Sequence, residues 1–281
     1  MNGRRNHELG AFLTARRARL RPDAAGLPPG AGRRVPGLRR EEVATLAGVS
    51  PDYYTRLEQG RQETASASVL DALAGALRLS EEERVYLYTL AGAAPSARAA
   101  PIPHSGPVDD QVGLVLAVLG DTPAMVCGPF VDVPEMNEAA CFLFTDFSAI
   151  PPNERNGVRW MLLSPLAREL YREQWEKAAG EMVGMLRIDI GRYPGQPRGE
   201  LIVAELLERS PLFRELWTEH HVSTWHTLTK TLHHPHVGTL RFSNASLTVN
   251  GVTDQTIYLV IPDDRPAFEV ALRSARAELR G

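Results

Sequence analysis

The sequence predicts two domains, an all-α domain at the N-terminus and an α+β domain with an antiparallel sheet at the C-terminus. Three observations carry this prediction. Five segments of helical periodicity fill residues 1–91, an Ala/Pro/Ser-rich stretch without periodicity follows at 92–107, and β-rich runs separated by turns lie near the end of the region 108–275. We therefore expect domain boundaries at these positions, with the middle stretch as a semi-stiff linker.

The segment 38–60 predicts two short helices joined by a tight corner. Val43 and its apolar neighbours form one helical face, and Gly48 stands where a left-handed helix end costs least. Ser50 can cap the following helix, which Gly60 ends. This arrangement is typical of a helix-turn-helix, whose second helix enters the major groove of DNA. The alternative is an ordinary helical hairpin inside an all-α domain.

Charge is distributed unevenly between the two predicted domains. The chain has 31 Lys+Arg and 34 Asp+Glu, for a net charge of −3. Residues 1–62 hold 12 arginines and 6 acids, or +6, which leaves 19 basic and 28 acidic residues, or −9, for the remainder. Such asymmetry predicts a basic nucleic-acid module joined to an acidic module.

The other helices of the N-terminal domain are predicted from their apolar faces. One spans Glu8 to Leu20, one Val69 to Leu77, and one Ser80 to Leu90, which opens as a Ser-x-x-Glu capping box. Residues 8–91 resemble the Xre-type helix-turn-helix fold. The run RRVPGLRREEVATLAGVSPDYYTRLEQGR resembles the N-terminal part of the MmyB-like transcription regulators of actinobacteria.

The resemblance implies roles on double-stranded DNA for individual residues. Arg40 and Ser50 correspond to phosphate-contacting positions. Pro51, Asp52 and Arg56 correspond to positions that face base edges. Because proline cannot read a base, direct readout is expected from Asp52, Tyr53 and Arg56. Glu63 departs from the sequence that this resemblance leads us to expect after Gly60. The full set of expected DNA contacts is Arg33, Arg34, Arg39, Arg40, Ser50, Pro51, Asp52, Tyr53, Thr55, Arg56 and Arg61.

The region 108–275 predicts a mixed domain with helices on one side of an antiparallel sheet. Helices are expected at 112–119, 137–144, 154–163, 165–185, 200–208 and 211–220. Strands are expected at 123–128, 130–133, 227–232, 239–243, 246–249 and 256–261, with turns at His236–Gly238 and Asn250-Gly251.

This region resembles the MmyB-like ligand-binding domain through Asn137, the run DFSAIPPNERN at 146–156, Trp160, and HPHVGTL at 234–240. The resemblance implies a PAS-like fold and a fatty-acid-like or other lipophilic ligand. Relatives carry an aromatic residue where this chain has Met136, which alters the expected pocket. The candidate pocket residues are Met125, Phe130, Met136, Phe142, Trp160, Met161 and Trp217; each is also an ordinary core residue.

Six histidines between residues 220 and 236 raise the alternative of a metal sensor. They are His220, His221, His226, His233, His234 and His236. Both cysteines lie far away, at 127 and 141, so we predict no metal site and no cofactor. No catalytic motif is present, which predicts a protein that is not an enzyme. We expect a cytoplasmic homodimer without a membrane segment; the remaining alternative makes the C-terminal domain a ligand-free dimerisation or protein-interaction module.

Overall fold

The computed structural model describes residues 2–28, 36–62, 65–92, 107–220, 222, 229–249 and 254–278, with the backbone alone for residues 2–6 and 278. The chain forms two compact units. The first comprises Met1–Ile102, Arg187–Glu200 and Leu216–Ser223, and the second comprises Pro103–Leu186, Leu201–Glu215 and Thr224–Gly281. Among the described residues, no helix is both long and apolar enough to cross a bilayer.

The predicted helices of the N-terminal region are confirmed. They are α1 (Asn2–Arg19), α2 (Arg40–Leu46), α3 (Pro51–Glu58), α4 (Ala67–Ala76) and α5 (Glu81–Leu90). Their apolar faces meet in one core, where the Phe12 and Tyr86 rings pack edge to face at 5.2 Å. The capping box is present, because the Glu83 N–H donates to Ser80 Oγ and the Ser80 N–H donates to the Glu83 carboxylate.

Gly10 allows α1 to cross α3 closely. A Cβ at this position would lie 2.2 Å from the carbonyl oxygen of Glu58. Since that oxygen belongs to the backbone, a side chain at residue 10 would force the two helices apart.

The second unit contains a five-stranded antiparallel sheet in the order β2-β1-β5-β4-β3. The strands are β1 (Ala124–Cys127), β2 (Glu135–Met136), β3 (Lys230–His234), β4 (Gly238–Thr248) and β5 (Thr256–Pro262). Gly238, at φ 77°, closes the turn from β3 to β4, as the sequence predicts. The Asn250-Gly251 turn lies outside the described residues, although Thr248 pairs with Thr256 as a hairpin requires.

The remaining helices are α6 (Asp110–Val118), α7 (Glu138–Leu143), α8 (Gly157–Leu163), α9 (Pro165–Tyr171), α10 (Trp175–Arg192), α11 (Pro197–Arg209), α12 (Pro211–Thr218) and α13 (Arg265–Glu278). The expectation of helices on one side of the sheet is wrong. Val112 and Leu116 of α6 pack with Val126 and Ile257, whereas the alternate residues of β1 and β5 join the core formed with other helices. Helices therefore contact both faces of the sheet.

Two further predictions of secondary structure are corrected, and one helix was not predicted. The strand expected at 130–133 is absent, because Pro129–Val131 forms a 3-10 turn with Phe130 and Val131 at positive φ. The strands expected at 239–243 and 246–249 are one continuous β4, and α13 was not expected from the sequence. Asn156 explains the first correction, since its buried side-chain amide donates to the carbonyl oxygen of Phe130 at 2.8 Å.

The helix expected at 165–185 breaks at Arg172, where φ is 44°. After the break, the Trp175 indole N–H donates to the carbonyl oxygen of Met161 at 2.8 Å, and the Arg168 guanidinium lies over the Trp175 ring at 4.1 Å. A continuous helix would not bring Trp175 to these partners. The helix that restarts, α10, continues to Arg192, seven residues beyond the predicted end.

Two arginines are buried together in the first unit. Arg16 pairs with Glu83 at 2.5 Å and donates to the carbonyl oxygen of His220. Arg187 lies over the Trp217 ring at 3.8 Å, and its guanidinium is 3.1 Å from His220 Nδ1. Burial lowers the pKa of both arginines, and burial together with their charges lowers the pKa of His220 to about 4. His220 is therefore neutral at pH 7.

Candidate functional site

The corner between α2 and α3 has the backbone geometry that the sequence predicts. Gly48 takes φ 64°, and the Val49 N–H returns to the carbonyl oxygen of Ala44 at 3.0 Å, which closes α2. Ser50 Oγ then accepts the Tyr53 N–H at 3.1 Å and caps α3. These local bonds fix the direction in which α3 leaves the turn.

The side chains of α3 divide into a buried and an exposed face. Tyr54 and Leu57 are buried in the core, whereas Pro51, Asp52 and Arg56 are exposed. Tyr53 and Thr55 are half-buried at the edge of the exposed face. The residues expected to face DNA are thus on the solvent side of the helix.

Glu58 anchors α3 to two other helices. Its carboxylate accepts from Arg17 Nε at 2.5 Å and from Arg40 Nε at 2.6 Å, and its side chain is 1% exposed. Burial alone would raise the pKa of Glu58, but the hydrogen bonds from Arg17 and Arg40 outweigh burial and lower this pKa. Nothing in the local sequence indicates Arg17 as a partner of Glu58, because Arg17 lies 41 residues earlier.

The pairing with Glu58 also orients Arg40. The Arg40 side chain remains 50% exposed, so the guanidinium keeps a solvent-facing side at the start of α2. Arg39 and Arg61 are exposed as well, and Arg39 donates its backbone N–H to Glu42 at 2.7 Å. Arg33 and Arg34 lie outside the described residues. The structure therefore brings Arg39, Arg40 and Arg61 to the surface of the same helical domain as α3.

Asp52 and Arg56 pair with each other along α3. Arg56 Nη1 lies 3.2 Å from Asp52 Oδ2, and both side chains are exposed. An exposed pair one helical turn apart contributes little, about 0.3–0.5 kcal/mol. Both groups therefore remain available to base edges.

A cavity lies between the sheet and the helices of the second unit. It measures about 40 Å³, and four methionines contribute to its wall. The lining residues are Met125, Cys127, Val131, Val133, Phe144, Phe147, Gly157, Trp160, Met161, Tyr171, Ala178, Glu181, Met182, Met185, Lys230 and Tyr258. This volume holds about three water molecules, so a larger ligand enters only when the lining side chains move.

Of the seven candidate pocket residues, Met125, Trp160 and Met161 line this cavity. The other four lie elsewhere. Phe130 is buried in the 3-10 turn, Met136 lies in the short edge strand β2, Phe142 packs on the His234 ring at 4.7 Å, and Trp217 stacks with Arg187 in the first unit.

The polar groups of the cavity wall include an ion pair that the sequence did not reveal. Lys230 Nζ, on β3, donates to Glu181 Oε2, on α10, at 2.6 Å. Tyr171 and Tyr258 add phenol groups, and burial raises the pKa of both. Burial also raises the pKa of the Cys127 thiol to about 12, so Cys127 is neutral at pH 7. The wall is thus apolar apart from one ion pair and a few neutral groups.

Comparison with protein families identifies the family to which the two units belong. The helix-turn-helix domain family matches residues 8–87, and the family described as MmyB-like transcription regulator ligand binding domain matches residues 108–274. The chain belongs to the MmyB-like transcription regulators. Comparison with curated proteins gives no match. An MmyB-like regulator of this kind is a DNA-binding transcription regulator, and its C-terminal domain is a ligand-binding domain.

The metal-sensor alternative finds no support in the described part of this MmyB-like chain. No group of three or more His, Cys, Asp or Glu side chains is placed there to hold a metal ion. His234 instead bonds to backbone through both ring nitrogens, with Nε2 at 2.9 Å from the Phe142 carbonyl oxygen and Nδ1 accepting the His236 and Val237 N–H groups. His221 and His226 lie outside the described residues.

Proposed function

We propose that this MmyB-like regulator is a cytoplasmic homodimer that reads a specific operator with α3 and responds to a small lipophilic, fatty-acid-like molecule. The observation that carries the DNA part of the proposal is the exposed face of α3, held by the Ser50 cap at one end and by Glu58 at the other. A dimer places two such helices on the two half-sites of a palindromic operator.

The contacts on DNA divide into positioning and reading. Arg39, Arg40 and Arg61 contribute phosphate contacts together with the Ser50 end of α3, where backbone N–H groups also favour an anion. Asp52, Tyr53 and Arg56 read bases, with arginine on guanine and aspartate on cytosine as the natural pairings. Glu58 supports the phosphate contacts indirectly, because it fixes the Arg40 guanidinium. Thr55 and Pro51 contribute surface beside the readers.

The cavity of the second unit is the proposed ligand site. Its wall includes Met125, Met161, Met182 and Met185, and unbranched methionine side chains rearrange more easily than branched or aromatic ones. A flexible apolar molecule can therefore enlarge the cavity by displacing them. This supports a lipophilic ligand in preference to a rigid polar one.

Helix α10 offers a route by which a ligand changes DNA binding. Residues 175–186 of the helix belong to the second unit, where Met182 and Met185 line the cavity, and residues 187–192 belong to the first unit, where Arg187 is buried. A shift of the helix that makes room for a ligand therefore also displaces Arg187. Regulation requires the ligand to favour one of these two helix positions over the other.

The DNA proposal is tested by selecting an operator from random duplexes with the full chain and then comparing three variants. Arg56→Ala should weaken the selected site by about 10- to 100-fold and flatten its sequence preference, whereas Arg40→Ala should weaken all sequences about equally and reduce the salt slope by about 1. Arg265→Ala is the matched control, since Arg265 is an exposed arginine in a similar pair with Glu269. If neither Arg56→Ala nor Arg40→Ala lowers affinity, the proposed docking is wrong.

A second candidate function for the C-terminal domain is ligand-free dimerisation. It is favoured by the small size of the cavity and by the exposed apolar residues of α6, where Leu114 is 68% and Val118 is 86% exposed. Native mass spectrometry of freshly purified protein separates the two candidates. A retained acyl-sized mass supports the sensor, and a bare dimer that Leu114→Asp converts to monomer supports the dimerisation module.

A further inference from the structure

The ion pair between Glu181 and Lys230 lies at the wall of a cavity that is otherwise almost entirely apolar. The two side chains are each 16% exposed, and they meet at 2.6 Å across α10 and β3. Together they contribute no net charge to the cavity. They are the charged side chains among the residues that line the cavity.

A charged head group on the ligand would add an uncompensated charge to this neutral pair. A carboxylate that approaches Lys230 also approaches Glu181, so that two negative groups share one ammonium in a poorly hydrated site. An ammonium head would instead place a second positive charge beside Lys230, so that two ammonium groups share one carboxylate. A buried charge without its own partner is strongly unfavourable, and an ion pair broken on one side leaves such a charge behind.

An uncharged polar head avoids this cost and finds bonding partners on both residues. A lysine ammonium has three N–H donors, and a carboxylate has about four acceptor sites, so one mutual hydrogen bond leaves each group able to bond a ligand. A head group that both accepts and donates can therefore bridge Lys230 and Glu181 while the pair stays intact. Primary amides and alcohols have this property, whereas an ionised carboxylate only accepts.

We propose that Glu181 and Lys230 are specificity-determining residues, which select uncharged amphiphiles with a donor–acceptor head and reject free carboxylates and amines. The inference rests on the proposed ligand site in the second unit. It narrows the fatty-acid-like ligand proposed above to a molecule with a fatty chain and an uncharged polar head, which excludes a free fatty acid. The apolar body of the ligand lies among the cavity methionines, and its head lies at the ion pair.

Isothermal titration calorimetry on the full chain at pH 7.5 tests this with three probes of equal length, decanamide, decanoate and decylammonium. The wild-type protein should bind decanamide at least about 10-fold more tightly than either ion. Glu181→Gln leaves Lys230 without its counter-charge and should shift the amide-to-carboxylate affinity ratio by about 10-fold or more toward decanoate. Lys230→Met should shift preference toward decylammonium by a similar factor.

The outcomes distinguish the head-group selectivity from the ligand-binding function on which it rests. Equal or tighter binding of decanoate by the wild-type protein overturns the head-group selectivity and leaves the ligand site in place; this comparison needs no variant to fold. An unchanged amide-to-carboxylate ratio in folded Glu181→Gln overturns the role of the ion pair. Absence of binding by all three probes overturns the proposed lipophilic-ligand function itself, and the selectivity with it.

Discussion

Replacing Glu58 by glutamine tests whether the buried ion pairs between α1, α2 and α3 hold the DNA-binding helices in place. Glutamine keeps the size of the side chain and one acceptor oxygen, but it removes the negative charge and places an amide NH₂ group against a guanidinium. Of the two arginines, Arg40 is half exposed and can regain water, whereas Arg17 is 13% exposed and loses its counter-charge.

The expected cost follows from this asymmetry. Removing one partner of a buried ion pair costs about 3–5 kcal/mol, and an exposed pair costs about 0–1 kcal/mol to break. Since only Arg17 is left buried without a counter-charge, we expect a loss of about 3 kcal/mol, near the lower limit of the buried range. For a domain of this size, that loss lowers the midpoint of thermal unfolding by about 10–20 °C.

Circular dichroism of the full chain at pH 7.5 measures the effect, with Glu41→Gln as the control. Glu41 is an exposed glutamate in the first turn of α2, so its substitution should change stability by no more than about 0.5 kcal/mol. Operator affinity of Glu58→Gln should also fall for all sequences, because Arg40 is no longer oriented. If Glu58→Gln unfolds at the same temperature as Glu41→Gln, the network does not stabilise the helices and the reasoning is refuted.

The same network predicts acid sensitivity with a defined sign. The pKa of Glu58 is lower in the folded chain than in the unfolded chain, where it is about 4.3. The stability that the ionised carboxylate contributes is therefore complete above about pH 4.3 and is lost as the pH falls through the folded pKa. Glu58→Gln should lack this component of acid unfolding.

Three further predictions concern packing, hydrogen bonding and pH. Gly10→Ala should destabilise the chain by about 2 kcal/mol despite the better helix propensity of alanine, because the added Cβ meets the Glu58 backbone. Gly75→Ala is the control, because residue 75 of α4 has open space around it. It should stabilise the chain by up to about 1 kcal/mol in the same thermal unfolding experiment. Asn156→Ala removes four side-chain hydrogen bonds at a fully buried position and should cost about 3 kcal/mol or more by urea titration; a cost below about 1 kcal/mol would contradict its structural role. His220, with its pKa lowered to about 4 from about 6.5, stabilises the fold fully above about pH 6.5 and loses this contribution as the pH falls toward 4; His220→Asn should reduce the difference between the unfolding temperatures at pH 7 and pH 5, and an unchanged difference would exclude this group as the cause.

The sequence predicted the helix-turn-helix well because its signals are local. Gly48 ends one helix and Ser50 caps the next, and each acts on backbone groups within a few residues. The three-residue spacing of Tyr54 and Leu57 places both side chains on one face of α3, and that face is buried. Arg17 could not be found in this way, because nothing in the local sequence relates it to Glu58.

Predictions failed where a distant residue determines the backbone. Val131 and Val133, on either side of Asp132, have the alternation of a strand, but Asn156, 26 residues after Phe130, holds the carbonyl of Phe130 in a 3-10 turn. The cavity shows the same limit. Apolar residues could be nominated from the sequence, whereas the pairing of Glu181 with Lys230, 49 residues apart, requires the topology that brings α10 against β3.

The pair formed by Asp52 and Arg56 bears on how an operator is chosen. Breaking an exposed pair of this kind costs about 0.3–0.5 kcal/mol, while a bidentate contact from arginine to guanine discriminates by about 1–3 kcal/mol. The pair therefore does not prevent the base readout proposed for Arg56. When the base opposite Arg56 has no hydrogen-bond acceptors for a guanidinium, Arg56 can pair with Asp52 again at little cost. A mismatch at this position should therefore weaken binding without leaving a buried unpaired charge. We therefore expect the penalty for a mismatch opposite Arg56 to lie toward the lower end of the range for single base pairs, nearer about 1 than 3 kcal/mol.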